Sequence, residues 1–483
     1  MNSMSKRAVK AGIWYIICSF ILKGLSFIST PLFTRILSVN DIGMYSNLAS
    51  WITILGSIIT LDLYSSVNLA HFYYDEKIYK YMSSIVIFGS IISITLYLVA
   101  ICFSDWIIGL LGITEHMLHV MFIYFIVHPA VSILHAKYRI YLQYKQTIIT
   151  SLIPSAMSIL VALLFVITAD EYKLQARIDG YYGIWILFAS IIYIYILYKG
   201  KSFKFEYIKF ALPVSIPLII HTLANAVLST SDRIMIQKMC GSEYTAFYSI
   251  AYSCGLLVSI LWSSVNQAWA PWCYEMMHQK REAIIGKVAK PILLLFSMGV
   301  VLLILIAPEI LYIMGGKSYL PAVYVVPPIM LGYIAQMLYT LYVNIETYNR
   351  KQKQIMCGTL IAAVVNIVLN LCFIPVFGYV AAAYTTLVGY IVLLFVHYFF
   401  VKMMGLDTIY DMKFNLTLLF GVLVLGIGIS ILYKFTILRW FFVFIVLFVA
   451  LILLILNKNI ICNAIKQKNF VEILKALYLQ EKE

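Results

Sequence analysis

A lysine interrupts the apolar run "WYIICSFILKGLSFISTPLFTRIL", residues 14–37. At the centre of a membrane-spanning helix a lysine costs about 2.5 to 3.5 kcal/mol to insert. A charge kept at that cost is a candidate binding group. Lys23 offers a compact ammonium, and Arg35, near the end of the same run, offers a fork of donors that suits phosphate oxygens. Half a chain later the pattern returns. At an offset of 198, "TPLFTRIL" meets "STSDRIMI", setting Arg35 against Arg233 and Lys23 against His221, and "LYSSVN" ending at Asn68 meets "LWSSVN" ending at Asn266. A second register competes: "GMYSNLASW" and "AFYSIAYSC" align Tyr45 with Tyr248 at an offset of 203. The basic positions precede that conflict and survive it.

Each of these groups has a plainer reading beside the functional one. Lys23 faces an aqueous cavity or forms an internal ion pair, for which Asp62 in "ITLDLYSSVN" is the nearest carboxylate in depth. His221 shares the cavity role or is a neutral, hydrogen-bonded helix histidine. Arg35 and Arg233 mark the outer mouth of a cavity or reach back to lipid head groups. Asp62 is the leading candidate for ion coupling, because carboxylates within a membrane span mark ion and proton pathways. His128 and His135, about two turns apart on one span, are proton-shuttle candidates or packing. Glu346, with Asn344 and Gln336, forms a polar stripe and is a further coupling candidate, or faces Arg350 near the cytoplasmic end. Asn68, Asn225, Asn266, Asn366 and Asn370 hydrogen-bond sugar hydroxyls or neighbouring helices.

The elements that must hold these groups are membrane spans. The 483 residues are 63% hydrophobic and 12% charged, far from the quarter charged of soluble chains. Apolar runs of a length that crosses a hydrocarbon core of about 30 Å recur along the whole sequence. They predict fourteen spans, near 11–36, 43–68, 82–103, 117–136, 148–168, 181–198, 208–231, 244–270, 288–314, 320–346, 354–375, 378–402, 415–433 and 437–457. The fold expected is all-α and polytopic. With the N-terminus inside, the inner segments hold 26 Lys and Arg and the outer loops 8, so the net charge of +14 is mostly a topology signal. Both termini are then cytoplasmic, and no basic stripe suits nucleic acid. Six spans separate the repeated copies, an even number, so both copies face the same way about an axis along the membrane normal.

The predicted organisation is an N-terminal lobe over 1–200, a C-terminal lobe over 201–404, two added spans over 405–457 and a cytoplasmic amphipathic tail over 458–483. Pro213 and Pro217 in span 7, and Pro327 and Pro328 in span 10, are expected to interrupt those helices as hinges. The eight cysteines have no metal or redox spacing.

"KGLSFISTPLFTRILSVNDIGMYS" and "SDRIMIQKMCGSEYTAFYSIAY" resemble the polysaccharide-transport branch of the multidrug/oligosaccharidyl-lipid/polysaccharide (MOP) exporter superfamily, the Wzx-type repeat-unit flippases of O-antigen and capsule synthesis. The resemblance covers the whole length, looser in letters than in layout. It implies a bacterial inner-membrane protein that moves an undecaprenyl-diphosphate-linked oligosaccharide from the inner to the outer leaflet by alternating access. It also implies Na⁺ or H⁺ as coupling ion with no other cofactor, and polysaccharide polymerase machinery as a partner. Lys23 and His221 would face the anionic head group inside a cationic cavity, with Arg35 and Arg233 near its mouth.

Two other functions compete with a flippase. A cation-coupled drug exporter of the same superfamily usually has twelve spans. A membrane glycosyltransferase or polymerase needs a sizeable outer loop, and the longest here, "ADEYKLQARIDGYYG", is short. The sequence has no Gly-rich loop ending in Lys-Ser/Thr, so the energy source expected is an ion gradient, the membrane potential or removal of product.

Overall fold

The computed structural model describes residues 3–456. They are almost wholly helical, and fourteen segments among them are long and apolar enough to cross a membrane. The proposed amphipathic tail, residues 458–483, lies outside the described residues.

Two compact units emerge. The first, residues 1–249 with 370–379, contains α1 (Ser3–Ile36), α2 (Val39–Ile59), a 3₁₀ turn (Leu63–Ser66), α3 (Val67–Tyr74), α4 (Ile78–Cys102), α5 (Ser104–Leu111), α6 (Glu115–Val127), α7 (Pro129–Ile140), α8 (Tyr144–Thr168), α9 (Lys173–Gly200), α10 (Phe205–Met239) and the start of α11 (Ser242–His278). Within it α1 packs on α8, α8 packs along α9, and α10 lies on α2 and the 3₁₀ turn. Helix approach in a bilayer rests on small residues, since lipid tails are as apolar as leucine. Gly180 of α9 is such a place: a Cβ there would stand 2.4 Å from the Cα of Ala162 on α8.

The second unit, residues 250–369 with the described residues from 380 on, holds the rest of α11, then α12 (Glu282–Leu305), α13 (Ala307–Gly315), α14 (Val326–Tyr348), most of α15 (Gln352–Phe377), α16 (Tyr379–Met403), α17 (Met412–Leu432) and α18 (Thr436–Leu456). The last two helices, which have no counterpart in the repeat, pack on α12 and α14. Buried Arg439 of α18 grips Glu309 through Nη1 at 2.5 Å and Nη2 at 2.6 Å, and its Nη1 also donates to the Leu305 carbonyl at 2.6 Å. Tyr433 donates to the Ile304 carbonyl at 2.9 Å. These two side chains satisfy carbonyls that the end of α12 leaves open.

Two spans are divided where the sequence reading had them continuous, and two keep their helices where prolines were expected to interrupt them. Span 2 is not continuous over 43–68: α2 stops at Ile59 and the chain resumes helical form only at Leu63. Span 4 divides at His128, where Pro129 opens α7. The prolines do not interrupt their helices. α10 runs unbroken through Pro213 and Pro217, and Pro327 and Pro328 sit in the first turn of α14, where a missing N–H leaves no bond unmade.

Candidate functional site

The break in span 2 positions the first functional side chain. Leu61 and Asp62 both have positive φ, 51° and 43°. For residues other than glycine the left-handed conformation costs roughly 1–2 kcal/mol each. Asp62 tolerates it better than Leu61, because a short polar side chain can bond locally. Non-helical backbone at membrane depth survives only where protein or a water-filled cavity receives it, and discontinuous helices build the ion sites of many transporters. Here the carboxylate is buried, 6% exposed, and accepts a hydrogen bond from the Thr222 hydroxyl of α10. Lys23 is not its partner; the internal ion pair foreseen between them is replaced by this hydroxyl, 160 residues away in sequence.

A cavity of about 200 Å³ opens beside the break, lined by Thr53, Ser57, Thr60, Asp62, His128 and Ser132 among others. It lies at the seam of two apolar clusters. Leu63, Ile85 and Val86 on its wall belong to one, and Phe125 with the partly buried Tyr124 to the other. A second cavity of about 260 Å³ is lined by Ser26, His128, Ser132, His135, Ser151 and Trp185. His128 and Ser132 border both cavities, each with room for several waters. The ring is held by aromatic packing, stacked on Tyr124 at 4.2 Å and edge-on to Trp185 at 5.6 Å. His135, on the second chamber, has its Nε2 2.8 Å from the Thr150 hydroxyl.

Helix α1 carries the basic group. At about 100° per residue, Ser19, Lys23, Ser26, Thr30 and Thr34 fall within an arc of about 80°. Five of the six exposed large apolar side chains among its described residues, Trp14, Ile17, Ile21, Ile28 and Leu32, fall within a separate arc of about 60° whose centre lies about 155° from Lys23; Phe20 is the exception. Lys23 is half-buried on this polar stripe, while Ser19 and Ser26 are exposed. Toward the end of the helix, Arg35 is exposed.

The counterpart helix α10 repeats the stripe with His221, Asn225, Ser229 and Asp232. The Asn225 amide donates at 3.1 Å to Nε2 of His221, whose Nδ1 is buried without a hydrogen-bond partner. Arg233 donates to the Ser229 carbonyl at 3.1 Å. Asp232, which the sequence reading passed over, is 1% exposed and receives the Tyr248 hydroxyl at 2.5 Å and the Asn370 amide at 2.7 Å. Its signal was its place beside Arg233 in the repeated motif.

The remaining candidates lie elsewhere. Asn68 is exposed on α3, whereas its counterpart Asn266 accepts from the Asn344 amide at 2.8 Å in the second unit. Gln336 is half-buried on α14. Asn366 donates to Thr386 at 3.0 Å. Glu346 does not face Arg350: it is fully buried, and its Oε2 lies 2.9 Å from Nδ1 of His397, a residue not singled out from the sequence. Lys137 was also missed; only 8% exposed, it donates to the Tyr79 hydroxyl at 2.9 Å and lies over that ring at 4.5 Å. Among the described residues no three His, Cys, Asp or Glu side chains gather as a metal site.

Residues 8–277 match the family model described as polysaccharide biosynthesis protein. Among curated proteins none matches the sequence. Several solved structures share the fold. One titled lipid II flippase MurJ, in an inward closed conformation, superposes with a TM-score of 0.73 at 17% identity, covering 93% of this chain and 100% of its own. An inward-facing multidrug resistance MATE family transporter of the MOP superfamily gives 0.60 at 11% identity, over 81% of this chain and 95% of its own. A MOP superfamily transporter from Pyrococcus furiosus gives 0.56 at 11%, over 84% and 98%. The expected fold, all-α and polytopic, is the one these structures share.

Proposed function

We propose that this chain, which belongs to the polysaccharide biosynthesis protein family, moves a lipid-diphosphate-linked oligosaccharide, an O-antigen or capsule repeat unit, from the inner to the outer leaflet of a bacterial cytoplasmic membrane. Both termini are cytoplasmic in this reading. The lobes 1–200 and 201–404 rock about the substrate by alternating access, and an ion gradient drives the cycle through Asp62. The observation that carries the reading is the polar stripe of α1. Lys23 sits roughly opposite the helix's exposed apolar arc, on a stripe of hydroxyl side chains, which supports a reading in which its ammonium meets water and an anion rather than acyl chains. A diphosphate crossing a bilayer brings two or more negative charges into low dielectric, and a pre-placed cation offsets part of their desolvation. His221, Arg35 and Arg233 add further donors on the repeat-related positions.

The MATE-like fold raises a second reading, export of a drug in exchange for a cation. Charge separates the two, because a cationic drug would be repelled by the ammonium that attracts a diphosphate. The test is reconstitution into sealed vesicles with a diphosphate-linked oligosaccharide, scoring its arrival in the opposite leaflet. Lys23→Ala should slow transfer at least about tenfold, about 1.4 kcal/mol in the barrier, with the protein still inserted, and Lys23→Arg should be milder. Normal transfer by the alanine variant would remove the head-group role.

A further inference from the structure

The second unit holds a pair of ionisable side chains for which flipping an anionic lipid has no evident use. Glu346 of α14 is 0% exposed and His397 of α16 is 1% exposed, with Oε2 and Nδ1 2.9 Å apart. Each has a second polar atom left over. Among the described residues neither Oε1 of Glu346 nor Nε2 of His397 has a hydrogen-bond partner, and Oε1 of Gln354, one turn before Gly358 on α15, lacks one as well. Gly358 is what lets the imidazole's far edge lie against α15: a Cβ at that position would stand 3.0 Å from Nε2. On its other side the ring stacks on Tyr339 at 5.7 Å.

The charged neighbours do not neutralise the pair. Arg350, Lys351 and Lys353, in the turn after α14 and the start of α15, and Lys402, at the end of α16, are all exposed, and none forms an ion pair with Glu346. From the elements packed on α14, Lys290 of α12 is taken by Asp411 at 2.8 Å, and Tyr342, on α14 itself, receives the amide of Asn415 from α17 at 3.1 Å. A carboxylate beside a neutral imidazole therefore carries a net charge of −1 in a dry setting. One added proton, on Nε2 or on the carboxyl, brings the pair to zero.

We propose that Glu346 and His397 form a proton-binding dyad in the second unit. Burial favours the protonated, neutral pair, since an uncompensated charge in low dielectric is strongly disfavoured. Admission of water to the pair favours release, so any movement that opens this part of the unit couples to one proton.

Glu346→Gln is the discriminating variant. The amide oxygen still accepts from Nδ1–H, so a helix tie survives, but the anionic charge that draws a proton is gone. The measurement is histidine ¹⁵N resonance of the full chain in detergent, titrated between about pH 5 and 8, with His397→Gln identifying the signal. The expected result is a His397 imidazole or Glu346 carboxyl that takes up one proton in the wild-type chain, read on the ring and on the carboxylic C=O infrared band. In Glu346→Gln the ring should stay neutral across the range. A ring fixed in one neutral tautomer, with no carboxylic band in the wild-type chain, would overturn the dyad. So would identical titration in both proteins. Where Glu346→Gln fails to fold, His397→Gln read on the carboxylic band decides the same question. None of these readouts needs a lipid-linked substrate, so the proposal stands or falls apart from the flippase reading.

Discussion

Asp62 and Glu346 are both buried carboxylates in membrane-spanning stretches, yet they are held in opposite ways. Asp62 sits on broken, left-handed backbone, takes one hydroxyl from a distant helix and borders a cavity. Glu346 sits inside regular α14, fully enclosed, beside an imidazole. The first arrangement sets a carboxylate beside a cavity at the expense of backbone strain; the second keeps the backbone relaxed and sets the carboxylate against an imidazole. A carboxylate in a bilayer therefore has two routes to stability, solvent or a titratable neighbour, and the route chosen decides what it can exchange. In the readings proposed above, Asp62 exchanges with an ion that arrives through its cavity and Glu346 with a proton.

The sharpest way to break this contrast is Asp62→Asn. The amide keeps the bond to Thr222 and the local tolerance of left-handed backbone, and loses only the charge. Stimulation of transport by an imposed Na⁺ or pH gradient should fall at least about tenfold in sealed vesicles, about 1.4 kcal/mol. An unchanged gradient response would place coupling elsewhere, with the Glu346 dyad first in line. A smaller effect follows from His128, which borders both cavities of the first unit. His128→Phe preserves the stack on Tyr124 and the edge contact with Trp185 while removing both ring nitrogens. Under a pH gradient, transport should slow roughly threefold, about 0.7 kcal/mol, with the response to Na⁺ untouched. Equal slowing under both gradients would make His128 a packing residue.

Much of this was legible in the sequence, in an uneven way. Span number, the offset of 198 and the oddity of Lys23 all follow from local pattern, because each is a matter of residues in one run or of one run repeated. Asp62 announced itself as a carboxylate inside an apolar stretch. Its partner could not, since Thr222 is 160 residues away and hydroxyls are common in membrane helices. The break at residues 60–62 was hidden for a related reason: no glycine or proline marks it, and Leu61 adopts a conformation its side chain disfavours. His397 lies in "LLFVHYFF" with no polar neighbour one turn away, so only folding, which brings Glu346 from 51 residues back, gives it meaning. Arg439 gains its meaning in the same way, because its clamp on Glu309 spans 130 residues.

A third carboxylate completes the comparison by having neither strain nor burial. Asp411 caps the start of α17, accepting the Phe414 N–H at 3.1 Å, and pairs with Lys290 at 2.8 Å, both side chains close to half-exposed. The hydrogen bond from Lys290, with the cap, holds its carboxyl below the ordinary carboxylate range. A carboxyl with a lowered folded value adds stability that is fully present above its unfolded pKa and is lost as pH falls through the folded one. Asp411→Asn keeps a good cap and removes the charge. The melting temperature of the variant should therefore lie slightly below that of the wild-type chain at neutral pH, and the two curves should converge below about pH 3. Water and salt screen this pair, so the gap should also shrink as salt is added, whereas the pH response of the Glu346 dyad, shielded from ions, should not. A gap at Asp411 that resists salt would mean that exposure alone does not separate the three sites, and the contrast between wet and dry carboxylates would lose its physical basis.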